Sequence, residues 1–252
     1  VSSSGGSATR FASDALRPEL WNEAESFLRK GLERAPSGSD LQLTWYHAYL
    51  WAARSDESRQ FLAALLSGKR KLPGFRIEQD RRWELVHALA RAGYGDAPTL
   101  IEETLKKDPS DAGRKEAISA EAAIPEPSVK KKWADLLTRA VAQTELNNAQ
   151  LREALRSFQA AGQEELTRPF ADAYFEALPR LVASGEDEEY LGDFAESFFP
   201  ALCDVKISEK AREFARRSDL PATVIKSLRE SAQEEERCVR ARELSASVKA
   251  PN

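Results

Sequence analysis

The chain has 252 residues, of which 37 are Lys or Arg and 41 Asp or Glu, giving a net charge of −4. That near balance argues against a groove built to neutralise phosphates, and 42% hydrophobic residues argue against a disordered chain or polyacidic tail. No apolar run approaches the ~20 residues of a membrane span, and Leu62-Ala63-Ala64-Leu65-Leu66 is one flank of a helix. The chain contains no methionine, so it reads as a fragment, a processed product or an excised segment of a longer protein. Val1 to Ala8 is rich in Ser and Gly and lacks the basic and apolar regions of a signal peptide. Two cysteines, Cys203 and Cys238, make no disulfide framework and read as reduced thiols of a cytoplasmic protein.

Strand signals are almost absent, and the dominant period is helical with short breakers between segments. Leu20, Ala24, Phe27, Leu28 and Leu32 form one stripe of a helix that stops at Ala35-Pro36-Ser37-Gly38. A second helix starts near Asp40 and buries Leu43, Tyr46, Leu50 and Ala53. A third, from Asp56, uses Phe61, Leu62 and Leu65 before Gly68. Asp80 is the expected N-cap of a helix that turns Trp83, Val86, Leu89 and Ala90 inward and ends at Gly93. Asp96 with Pro98 opens the next, which carries Leu100, Ile101 and Leu105 and ends before Asp108-Pro109. Helices over 110–123 and 128–143 are split by Ile124-Pro125-Glu126-Pro127, and Asn147 or Asn148 caps one running through Phe158 to Gly162. Thr167-Arg168-Pro169 starts a helix with Phe170, Tyr174, Phe175 and Leu178. The segment from Glu186 to Phe199 buries Tyr190, Leu191, Phe194 and Phe198. Ser208 caps a short helix, and Leu220-Pro221 starts a terminal one reaching about Ser245.

These segments predict an all-α chain of stacked antiparallel helix pairs, an irregular superhelix related in geometry to HEAT and armadillo arrays. It is expected to form a single domain over 1–252, with a flexible start at 1–9 and a flexible end at 246–252. No fixed-period repeat is present, which sets it apart from regular repeat arrays.

Chemistry-bearing motifs are scarce. A zinc peptidase site needs the H-E-x-x-H pattern, and only two histidines, His47 and His87, exist on different helices. Both read as helix residues packed at an edge or hydrogen-bonded locally. The chain has no G-x-S-x-G elbow, and its one Gly-rich stretch, Ser3 to Ser7, lacks the Lys-Ser/Thr of a P-loop. Lys130-Lys131-Lys132 beside Trp133 reads as a solvated face, as do Glu186 to Glu189 and Glu234-Glu235-Glu236. Trp21, Trp45, Trp51, Trp83 and Trp133 read mostly as core, with some left to line a groove or face a neighbouring domain. No catalytic, metal-binding or cofactor-binding residue is assigned, and substrate-binding residues stay unassigned.

An ordered set of short motifs carries a resemblance. Gly38-Ser39-Asp40-Leu41-Gln42-Leu43 is followed by Leu72-Pro73-Gly74, Asp80-Arg81-Arg82-Trp83-Glu84-Leu85, and Asp108-Pro109-Ser110-Asp111-Ala112-Gly113-Arg114. Later come Gln163-Glu164-Glu165-Leu166, Tyr174 to Pro179, Phe199-Pro200-Ala201-Leu202, Leu220-Pro221-Ala222, and Arg237-Cys238-Val239-Arg240-Ala241-Arg242. Over roughly residues 38–242 the chain resembles the C-terminal domain of bacterial aminopeptidase N, which is also present in the endoplasmic-reticulum aminopeptidases. Val182, where a Trp is common, is a local departure.

The resemblance implies a parent zinc metallopeptidase that removes N-terminal residues from peptides, with its zinc and catalytic residues upstream of this chain. It implies that this domain forms a bowl over the active site, is inactive by itself, and has the upstream catalytic domain and peptide substrates as partners. Neither nucleic acid nor membrane is an expected partner. The alternative is an independent helical-repeat interaction scaffold. An upstream H-E-x-x-H followed about 18 residues later by a Glu would decide between them.

Overall fold

A computed structural model describes residues 10–247, and among them the extended regular structure is all α-helix, with no strand. The expected flexible start at 1–9 and the last five residues of the expected flexible end lie outside the described residues. Ala246 and Ser247 close the terminal helix. The chain divides between Ile124 and Pro125 into two compact units.

In the first unit, α1 (Arg17–Arg34) and α2 (Asp40–Ala52) form a hairpin. They are followed by α3 (Asp56–Leu66), α4 (Gln79–Arg91), α5 (Ala97–Lys107) and α6 (Asp111–Ala122). Local chemistry sets these boundaries. Ser39, Ser55 and Ser110 each accept a hydrogen bond from the backbone N–H three residues on, satisfying one of the donors a helix start leaves open. The end of α4 is a Schellman turn. Gly93 adopts φ +73°, Tyr94 N–H reaches the Leu89 carbonyl at 3.0 Å, and Gly93 N–H reaches that of Ala90 at 3.0 Å. The core of this unit gathers Leu32, Tyr46, Tyr49, Phe61, Leu62, Leu85 and Leu89. Helix α4 packs against α3, α5 and α6, and its Leu85, Val86, Ala88, Leu89 and Ala90 are all buried.

Gly113 marks where α6 meets the preceding turn. A Cβ there would overlap the Asp108 carbonyl oxygen and crowd the Asp108 carboxylate. That carboxylate is needed, because it accepts from Trp83 Nε1 at 2.9 Å and from Ser110 Oγ at 2.6 Å. The Asp-Pro-Ser-Asp-Ala-Gly run is therefore a junction fastening α6 to α4. Gly113→Ala is expected to lower unfolding free energy by about 2 kcal/mol, the scale of overpacking a filled site, with the loss read by urea denaturation.

In the second unit, α7 (Pro127–Leu137) leads to α8 (Asn148–Phe158), the single-turn α9 (Glu164–Thr167) and α10 (Ala171–Ala183). Helices α11 (Glu188–Ser197), α12 (Val205–Phe214) and α13 (Ala222–Ser247) follow. Asn147 and Gln150 form a reciprocal capping box at the start of α8. The core is aromatic. Tyr174 lies with its ring centroid 4.9 Å from Phe175, 5.5 Å from Phe194 and 5.6 Å from Phe199, and Phe158 lies 4.9 Å from Phe198. Helix α13 packs on α11 and α12.

Several expectations need correction. The helix expected over 128–143 ends at Leu137, because Val141 N–H is taken by the Glu186 carboxylate at 2.8 Å rather than by the helix. Helix α4 begins at Gln79, which leaves Asp80 in its first turn rather than at the cap. Asp204, not Ser208, caps α12, and Ser208 is buried inside it. The helix expected from Thr167 starts instead at Ala171, after one turn of α9 and a 3₁₀ turn, Arg168–Phe170.

Two supposed solvated faces each send one residue inward. Lys130 is fully buried and donates from Nζ to the Phe158 carbonyl at 2.7 Å, at the open end of α8. Glu235 is fully buried and accepts from the N–H groups of Leu202 and Asp204 at 3.1 and 3.0 Å. The cysteines are not reduced thiols: Cys203 and Cys238 are disulfide-bonded, with Cα atoms 5.3 Å apart. Their 35-residue separation hid the pairing. Folding brings the α11–α12 loop against α13, at a spacing a disulfide accepts.

Candidate functional site

Two histidines carried the metal question, and they lie apart. His47, on α2, is half exposed, with Nε2 3.3 Å from a Glu84 carboxylate oxygen on α4. His87 is half-buried, further along α4. A catalytic zinc takes three protein ligands, and His47 with Glu84 offers two. Among the described residues no group of three or more His, Cys, Asp or Glu is placed to hold a metal. The described residues do not fit zinc, and no chemistry is routed through a metal here.

Three of the five tryptophans, Trp21, Trp83 and Trp133, are core, and the first two also act through their N–H groups. Trp21 donates to the Ala52 carbonyl at 2.8 Å, closing the α1–α2 hairpin, and the Arg54 guanidinium lies 3.0 Å over its ring. Trp83 holds Asp108, and Trp133 is buried in the second unit. Trp45 and Trp51 stay half-buried on α2, Trp45 edge-on to Phe27 at 5.4 Å and Trp51 beside Trp21 at 4.9 Å.

The first unit carries a polar cleft of about 380 Å³ between one face of α1 and the start of α3. Asn22, Ser26, Arg29 and Glu33 fall at i, i+4, i+7 and i+11 on α1, so helical geometry alone aligns them. Ser55, Glu57 and Ser58 face them from the N-terminal turn of α3.

Arg29 is the centre of the cleft. Its guanidinium lies 3.5 Å from the Phe61 ring centroid and donates to the Glu33 carboxylate at 3.0 Å and the Tyr49 hydroxyl at 3.3 Å. Burial works against its charge, but the Tyr49 and Glu33 contacts outweigh that and raise its pKa. Burial also raises the pKa of the Tyr49 phenol, although Ser58 and Arg29 hydrogen bonds oppose it. Glu25, 5% exposed, accepts from Ser55 Oγ at 2.6 Å. Glu33 accepts a second bond, from Arg70, at 2.8 Å.

The ionisable groups deepest in the cleft are thus committed to one another. They brace α1 against α2 and α3, and leave Asn22, Ser26 and Lys30 on the rim of the cleft. Sequence reasoning followed the apolar stripe of α1 and passed over this polar one. The i, i+4, i+7, i+11 spacing was a usable signal for it. The partners from Tyr49 and Ser55 to Ser58, 20 to 30 residues away, left no trace in the sequence.

Comparison with known proteins places this arrangement in a family. Over 196 residues the chain is 31% identical to Aminopeptidase N of Streptomyces lividans, a match covering 77% of this chain and 22% of that protein. The chain therefore spans less than a quarter of the length of that relative. Residues 5–237 match the family described as the ERAP1-like C-terminal domain. With nearly the whole chain inside that match, and with helices and no strand among its described residues as expected from the sequence, the protein belongs to the family of ERAP1-like C-terminal domains.

Proposed function

We propose that this chain is the C-terminal domain of a zinc-dependent aminopeptidase that removes N-terminal residues from peptides, and that it encloses the active site and helps admit and position peptide. The observation that carries the reading is the 31% identity to a named aminopeptidase over 196 residues, within a family defined as a C-terminal domain. The zinc and the catalytic groups belong to the upstream part of the parent, and that catalytic part and the peptide are the partners. A cytoplasmic location remains part of the proposal only with the Cys203–Cys238 bond open to reduction, because cytosolic thiol systems keep cysteines reduced. Among the described residues no helix is long and apolar enough to cross a membrane.

A helical array laid over a peptidase site contacts the part of the peptide far from the scissile bond. Binding energy from there can be used in the transition state as well as the ground state. Removing this domain from the parent should therefore cost longer peptides about tenfold or more in kcat/KM, roughly the ~1.4 kcal/mol of one or two remote contacts. A chromogenic amino-acid amide, which ends before reaching the domain, should lose much less. The measurement compares full-length and truncated enzyme across a peptide-length series, with zinc content checked in both. An equal loss at every length would reduce the domain to a structural brace.

A further inference from the structure

The terminal helix α13 seats itself on its neighbours through Val224, Leu228, Ala232, Glu235 and Cys238, spaced to keep one face inward. Beyond Cys238 no described residue is buried, and Leu244 is 69% exposed. The last buried position of the helix is thus also its covalent one. Cys238 is joined to Cys203, in the loop between α11 and α12, with the two Cα atoms 5.3 Å apart.

The two ends of this bond differ in access. Cys238 is fully buried, whereas Cys203 is half-buried and sits at φ +53°, in the left-handed backbone region that non-glycine residues rarely occupy. The same loop has a second, independent hold. The buried Glu235 carboxylate, one turn before Cys238, accepts the N–H groups on both sides of Cys203, those of Leu202 and Asp204. Gln159 adds bonds to the Phe198 and Phe199 carbonyls at 3.0 and 2.7 Å, just upstream. Opening the disulfide leaves these bonds in place, and Arg212 of α12 still donates to the Glu236 carboxylate at 2.5 and 2.8 Å, so the loop and the helix up to Glu236 stay anchored.

We propose that Cys203–Cys238 is a redox-operated clasp on the end of α13. Oxidised, it fixes the last turns of the helix, residues 237–247, to the α11–α12 loop. Reduced, it releases them while the rest of the unit stays folded. The reductant is a low-molecular-weight thiol or a dithiol protein. Its thiolate attacks the sulfur of Cys203, the less buried of the two residues, forms a mixed disulfide and displaces the Cys238 sulfur, which takes up a proton. A second thiolate then attacks the reductant's sulfur in the mixed disulfide and frees Cys203. Two thiols are oxidised to one disulfide, and the protein gains two thiols.

The test equilibrates the protein with glutathione redox pairs spanning oxidised to reduced. Free thiols are counted by alkylation and mass spectrometry under denaturing conditions, and amide hydrogen exchange is followed along α13. The expected result is two alkylated cysteines in the reduced form and none in the oxidised. Exchange over 237–247 should be at least about tenfold faster on reduction, with 222–232 little changed. Cys203→Ser should exchange like the reduced protein under every condition. The proposal is overturned if both cysteines are alkylated at every redox ratio, or if 237–247 exchange equally in both forms. Collapse of protection across the whole of residues 125–252 on reduction would also overturn it, since the bond would then be a structural staple.

Discussion

Tyr174→Ala should be among the most damaging single substitutions in the second unit, lowering unfolding free energy by about 3–5 kcal/mol. Tyr174 is 1% exposed and sits at the centre of the aromatic core, touching Phe175, Phe194, Phe198 and Phe199. Rings contributed by α10, α11 and the loop after α11 meet there, so a truncated side chain leaves a cavity that no single neighbour can fill. The hydroxyl adds a smaller, separable contribution by donating to the Ala195 carbonyl at 2.8 Å. Tyr174→Phe removes only that bond and should cost about 1 kcal/mol. Chemical denaturation of both variants, followed by near-ultraviolet circular dichroism, tests the pair. A Phe variant as unstable as the Ala variant would mean that the hydrogen bond, and not the packing, dominates.

Stability should also rise with pH between about 7 and 10 and turn over above that range. Burial lowers the pKa of the Lys130 ammonium from its ordinary value near 10.5 to about 7. Within that window the unfolded chain holds a proton on Lys130 that the folded chain has lost, so raising the pH favours the folded state. Below pH 7 both states are charged and the dependence vanishes. The displacement corresponds to at most about 5 kcal/mol across the window.

The turnover has its own cause. Burial raises the pKa values of Tyr46, Tyr174 and Tyr190 above the ordinary phenol value near 10, and nearby carboxylates add to the effect at Tyr46 and Tyr190. Above pH 10 those phenols ionise in the unfolded chain first, which lowers stability. Lys130→Met should flatten the rising limb and leave the turnover. Urea midpoints measured from pH 6 to 11 in both proteins check this, and a variant that keeps the rising limb would assign it to another group.

Much of the helical layout is written locally. Leu20 and Phe27 of the expected α1 stripe are exposed, but the serine caps at 39, 55 and 110, the Asn147–Gln150 box and Gly93 each act within about a turn of chain, as does the apolar period of α3 and α4. These signals are therefore complete in the sequence, and the family motifs ride on them. The Asp108 to Gly113 run shows why: it is the close junction of α6 with Trp83, recorded as short-range residue choices.

What the sequence left open depends on which segments meet across tens of residues. Lys130 read as one of three solvated lysines until Phe158, 28 residues on, covered it and offered a carbonyl. Glu235 looked like part of an acidic run until the α11–α12 loop folded over it, and that contact also paired Cys203 with Cys238. The expected 128–143 helix stopped short of Val141, which opens a separate 3₁₀ turn with its N–H on Glu186, 45 residues away. The Arg29 cluster drew its partners from α2 and α3. In each case a polar group was buried against a partner that only packing could supply. Its environment was a property of the tertiary structure, because periodicity records which face turns inward and not what waits there.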